Sequence, residues 1–149
     1  MGSRYGLEIR SATSLDAPGL AGLLGTAGLS IPASDLTERL GALRHEQGAV
    51  LIATEWGPPS GVIALHWYRT IAAAAPVAQI TLLLVAPDDR RRGVGRLLLK
   101  AAAQAARLAG CDELQLLAPP DQPALQAFRE ATGFTQAGTS FVRPLRKKG

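Results

Sequence analysis

From Val77 to Pro87 the chain reads VAQITLLLVAP, an apolar run of β-branched residues and leucines. Its length and composition predict a strand buried on both faces. From Val94 onward the pattern changes to a helical one. Val94, Leu97, Leu98, Ala101, Ala105 and Leu108 fall on one face, with Arg96, Lys100, Gln104 and Arg107 opposite. Gly110 is expected to close this helix in a left-handed conformation. DELQLLA (Asp112–Ala118) then predicts a second strand. A strand, a helix and a strand in this order imply a parallel pair with a right-handed crossover.

Upstream, Leu7–Ala12 predicts a short strand. In TSLDAPGLAGLLGTAG, Thr13, Ser14 and Asp16 offer helix-start chemistry and Pro18 suits a first turn, while Gly19 and Gly22 weaken the helix. PASDLTERLGALRHEQG predicts a firmer helix, capped by Ser34 or Asp35, with Leu36, Leu40 and Leu43 on one face. Ala49–Trp56 and Gly61–Arg69 read as strands joined by the turn GPPS, hence antiparallel. IAAAAP is a loop. Downstream, DQPALQAFREATG predicts a short helix ending at Gly133, FTQAGTSFVRPL a terminal hairpin, and residues 146–149 a basic tail. The expected fold class is α/β (α+β): one domain over residues 1–149, a mixed, mostly antiparallel sheet with helices on both faces. Met1–Ser3 reads as a cloning remnant.

Composition narrows the picture only a little. With 47% hydrophobic and 19% charged residues among 149, the chain is globular and can bury its own core. A net charge of +4 admits polyanions or phosphorylated ligands as partners. The single cysteine, Cys111, excludes an intrachain disulfide and points to a reducing, cytoplasmic setting. No leader-like segment or membrane-length apolar run is present, so no membrane partner is expected.

The segment between strand and helix, VAPDDRRRGVGR, is where chemistry concentrates. A helix N-terminus leaves backbone N–H groups unpaired at the positive end of the dipole, and a tight preceding turn converges them on an anion. Gly93 and Gly95 remove the Cβ atoms that would hold a phosphate off the backbone. Arg90, Arg91, Arg92 and Arg96 add guanidinium groups suited to phosphate oxygens. The loop thus looks built for a pyrophosphate. GxxxxGK[ST] is absent, which disfavours a P-loop NTPase, and so is GxGxxG, which disfavours a dinucleotide fingerprint. Nucleic acid is not an expected partner, since a basic patch would not need the interposed glycines.

Arg90-x-x-Gly93-x-Gly95 after LLLVAPDD, together with IRSATSLD (Ile9–Asp16) and ALQAFREATGF (Ala124–Phe134), resembles the GNAT N-acetyltransferase superfamily in motif and element order. The resemblance implies an acyl-CoA-dependent N-acyltransferase (EC 2.3.1.-) in which the amine of a small molecule or protein attacks acetyl-CoA directly, with no metal. It implies that Arg91 to Arg96, Val94 included, hold the CoA pyrophosphate. It also implies that Leu83, Leu84 and Val85 pair with the pantetheine arm and that this strand splays from LQLLA. Gln122, where the family often has asparagine, and Phe128 are further expected cofactor contacts. A homodimer is common in the family.

The family pattern breaks at the chemistry. Where many members have an acidic tyrosine, this chain has Arg129, which cannot release a proton near neutral pH. Where members often have a glutamate, it has Gln79 and Thr81. His66 is the candidate base and Tyr68, on the same face by strand alternation, the candidate acid. Glu55 is read as a solvated strand end in preference to a contact for the substrate amine, Cys111 as inert, and Trp56 and Trp67 as core in preference to acceptor-pocket lining. The missing pair leaves a CoA sensor with little turnover as the alternative.

Overall fold

The structure, a computed structural model, describes residues 6–90, 92–117, 123–135 and 142–145, with the backbone alone at 123–126. The chain divides into two compact units, Met1–Leu117 and Ala118–Gly149.

The first unit holds a five-stranded sheet in the order β1 (Glu8–Ser11), β2 (Gly48–Thr54), β3 (Gly61–Tyr68), β4 (Val77–Val85) and β5 (Leu114–Leu116). Neighbours are antiparallel except β4 and β5, which run parallel. The strand–helix–strand pattern is therefore borne out. β5 is much shorter than its apolar run suggests, and β4 is only half-buried beyond Thr81 rather than enclosed on both faces. The cause is the same: three residues of β5 pair with the first part of β4, and the rest of that edge has no strand partner among the described residues.

Helices cover both faces. α1 (Ala17–Gly25) and α2 (Ala33–Leu43) bury Leu20, Leu23, Leu24, Leu36 and Leu40 against Ile52 and Val62. α3 (Val94–Leu108) packs on the opposite face, because a Cβ at Gly61, next to Val62, would come within 2.8 Å of Leu98 and 2.9 Å of Val94. α3 buries Val94, Leu98, Leu99, Ala102 and Ala106, so its buried stripe is turned by about one residue from the expected face. Leu108, expected inside, is 83% exposed at the last turn. Gly110 does end the helix at φ +92°, with Cys111 N–H donating to Ala106 O.

α2 begins two to three residues earlier than its polar signals suggest. Pro32 occupies the N-cap without a side-chain hydrogen bond, and Ser34 and Asp35 lie inside the first turn. In the second unit α4 (Pro123–Ala131) precedes Gly133, which has φ +92°. The expected hairpin falls largely outside the described residues; Val142–Leu145 has no regular structure.

Candidate active site

β4 changes its backbone phase partway along. Leu65 pairs with Ile80 but Ala64 pairs with Leu82, so Thr81 is an extra residue, a β-bulge. Before the bulge, Ala78 N–H donates to Glu113 O and Ile80 O accepts from Leu117 N–H, so even-numbered residues face β5. After it, Ala86 N–H donates to Ser60 O, so even-numbered residues face β3. By antiparallel alternation Leu84 is committed to Val62. Leu83 and Val85 therefore present their main-chain groups on the side where β5 has already ended. Of the three expected strand contacts, these two have main-chain groups without a strand partner among the described residues.

The loop beyond β4 runs through a 3-10 turn (Pro87–Asp89) to Gly93, the N-cap of α3. Gly93 sits at φ +78°, a left-handed conformation that disfavours a side chain. No side chain caps the helix, and the first intrahelical bond closes from Leu97 N–H to Gly93 O. The N–H groups of Val94, Gly95 and Arg96 consequently lack intrahelical partners and share the positive end of a fifteen-residue helix. This geometry fits a pyrophosphate.

The arginines diverge. Arg90 Nε approaches Val85 O at 3.4 Å, which places its head on the open-edge side. Arg92 turns the other way. Its guanidinium meets Glu55 Oε1 and Asp89 Oδ1, each at 2.7 Å, and its N–H donates to Asp89 O. These contacts raise its pKa, with the Glu55 hydrogen bond as the largest cause. Glu55 is therefore an ion-pair partner rather than a merely solvated strand end. Arg96 is exposed at the first turn, and Arg91 lies outside the described residues.

A polar row crosses the sheet just before the bulge, on the face that carries α1 and α2. Gly48, His66, Gln79 and Gln115 are successive partners on β2, β3, β4 and β5. Gly48 makes room for its neighbour: a Cβ there would stand 3.2 Å from His66 Nδ1 and 2.5 Å from Leu65 O. Gln79 Nε2 donates to Gln115 Oε1 at 3.3 Å, and Gln115 Nε2 donates to Glu113 Oε2 at 2.8 Å. Gln115 and Glu113 were not anticipated. A glutamine inside each of two apolar strands, VAQIT and LQLL, was the available signal.

Tyr68 shares the face of His66 and is 40% exposed at the strand end. Trp56, expected in the core, is 84% exposed because β2 stops at Thr54, whereas Trp67 is half-buried. Cys111 is buried, and loss of solvation, then the nearby Asp112 charge, pushes its thiol pKa up. Phe128 and Arg129 lie together on α4 in the second unit; Gln122 lies outside the described residues. No metal-binding group of His, Cys, Asp and Glu occurs among the described residues. No helix among them is long and apolar enough to cross a membrane.

An open sheet with a parallel β4–β5 pair that separates beside a bare helix N-terminus is the architecture of acyl-CoA N-acyltransferases. Residues 23–134 match the model of the acetyltransferase (GNAT) family. A protein from Agrobacterium tumefaciens strain C58, provisionally classed as an acetyltransferase, is 30% identical, with a TM-score of 0.82 over 92% of this chain and 99% of that one. An aminoglycoside N-acetyltransferase solved in complex with CoA (21% identity, TM-score 0.81, 95% of each chain) has the same fold. So does glucosamine-6-phosphate N-acetyltransferase of Arabidopsis thaliana (15% identity, TM-score 0.81, 94% and 99%). No curated protein matches the chain. The chain belongs to the GNAT acetyltransferase family and is an acyl-CoA-dependent N-acyltransferase.

Proposed function

We propose that the protein transfers the acetyl group of acetyl-CoA to a primary amine, of a small molecule or a peptide, that attacks from the sheet face bearing His66. The observation that carries this reading is the uncapped start of α3 placed directly after the end of β4, whose β5-side edge has no strand partner among the described residues. Val94, Gly95 and Arg96 would hold the pyrophosphate through backbone N–H groups. Leu83 and Val85 would pair with the extended pantetheine arm as a substitute strand, with Arg90 beside them. When bound, acetyl-CoA supplies the activated acyl group.

The chain's own residues do the rest. His66 has neither ring nitrogen hydrogen-bonded among the described residues, and takes a proton from the acceptor's ammonium, leaving the neutral amine that attacks. A guanidinium is no proton donor near neutral pH, so acid assistance falls to Tyr68 or solvent rather than to Arg129. Main-chain N–H groups after the bulge are oriented before any substrate arrives, which favours charge developing at an acyl oxygen. Catalysis then rests mainly on positioning. We read the whole chain as one catalytic domain, homodimeric and cytoplasmic; the lone buried Cys111 supports the last point.

The test is incubation with acetyl-CoA and a panel of sisomicin, glucosamine 6-phosphate, spermidine and a lysine peptide. Thiol release and a mass increase of one acetyl group on an amine are expected. CoA binding without turnover of any amine would refute the proposal. His66→Ala should lower kcat/KM most at low pH, where an unassisted ammonium seldom loses its proton; an unchanged pH profile removes His66 as base.

A further inference from the structure

The hydrogen bonds from Glu113 to Gln115 to Gln79 have a direction that chemistry dictates. A carboxylate only accepts, so Gln115 must turn its NH2 toward Glu113. Its Oε1 then faces Gln79, which must donate through Nε2. The carbonyl of Gln79 is thereby turned away from Gln115, toward the β3 side of the row where His66 stands. Among the described residues, Gln79 Oε1 has no hydrogen-bond partner, and neither has His66. Gln79 lies two residues before the bulge at Thr81, with His66 as its partner on β3.

A free acceptor oxygen with an enforced orientation beside a free imidazole suits a group that donates several hydrogens. We infer that Gln79 Oε1 accepts an N–H of the acceptor amine, and that Glu113, acting through Gln115, is the positioning residue that fixes this orientation. This rests on the acyl-transfer reading for the identity of the ligand but not for the direction of the relay. An amide whose two ends are nearly isosteric can flip; a carboxylate two residues along the neighbouring strand prevents it. Glu113 is exposed, so its replacement leaves the core untouched.

The experiment is a double-mutant cycle, read with acetyl-CoA and the panel amine turned over fastest. Glu113→Gln, which permits either amide orientation, is expected to raise KM for the amine about fivefold, the scale of one oriented hydrogen bond. Glu113→Lys, which only donates and so reverses the relay, should raise it further. KM for acetyl-CoA stays unchanged in both. In a Gln79→Ala background neither change should add anything, since the oxygen they orient is gone. Additive effects, or a wild-type KM in both Glu113 variants, overturn the inference. Side-chain amide spectra of 15N-glutamine-labelled protein give a readout without turnover. The Gln79 signal should move in Glu113→Gln, and on adding the amine (sisomicin where none reacts) with CoA. If no amine is acetylated yet that signal moves in both cases, acyl transfer fails and the relay stands; a signal that moves in neither removes the relay.

Discussion

Two helical starts in the first unit are built in opposite ways. Before α1, Thr13 caps the 3-10 turn Ser14–Asp16: its Oγ1 accepts from Leu15 N–H at 3.3 Å while its own N–H donates to Asp16 Oδ2 at 2.8 Å. Arg10 then grips both oxygens of Asp16 at 2.8 and 2.9 Å. That contact is the largest cause of a carboxyl pKa lowered to about 2, with the Thr13 amide helping and burial opposing. Before α3 there is a glycine at φ +78° and no side-chain cap. Its neighbouring arginine is paired elsewhere, with Glu55 and Asp89. One start is saturated by its own chain; the other keeps its donors available. The start of α2, at Pro32, also lacks a side-chain cap; what sets α3 apart is a left-handed glycine and its place directly after the end of β4.

The largest expected effect tests the bare end. Gly93→Ala forces a side chain into a left-handed conformation at a cost of about 1–2 kcal/mol. No atom lies within 4 Å of the added Cβ, so the effect is conformational, and calorimetry should show CoA affinity reduced roughly tenfold. Unchanged affinity would mean the amides are not the anion's ligands. Asp16→Ala, at the saturated end, should lower unfolding free energy by about 1–2 kcal/mol in urea while leaving CoA affinity alone. Acid should expose the same bond. The folded-state pKa of Asp16 lies below its ordinary value, so its stabilisation is complete above about pH 4 and is lost as pH falls through about 2. Because Arg10 is 39% exposed, the loss should be only about 1 kcal/mol, and absent in Asp16→Ala. Smallest of all, Glu55→Gln removes one of the two carboxylates that neutralise Arg92, leaving Asp89, and should lower KM for acetyl-CoA by about twofold or less, an effect that added salt erases.

What sequence revealed and concealed divides by distance along the chain. The β4 run, the loop with its glycines and the Gly110 stop are local patterns, and each lies where its residues imply. Arg92 illustrates the opposite case. Its bond to Asp89 spans three residues, but the one to Glu55 joins positions 37 apart and depends on how β2 ends beside the loop. The Gln79–Gln115 pair needs the crossover to bring two strands into register. Most consequential is the bulge at Thr81, because a single unpaired residue exchanges which main-chain groups face outward. Nothing in QITLLL announces it. The helix face also misled: leucine and alanine occupy so much of α3's circumference that the sheet, not periodicity, selects Leu99 over Leu108.

Gly61 joins these parts. It pairs with Val85 at the tip of the bare edge and lies beneath Val94 at the helix start, with no room for even a methyl group. Cradle and rail therefore meet at one point, their spacing set by one missing carbon. A bulkier residue at this point would wedge the two apart, so that a molecule long enough to span both could grip either end but not the pair.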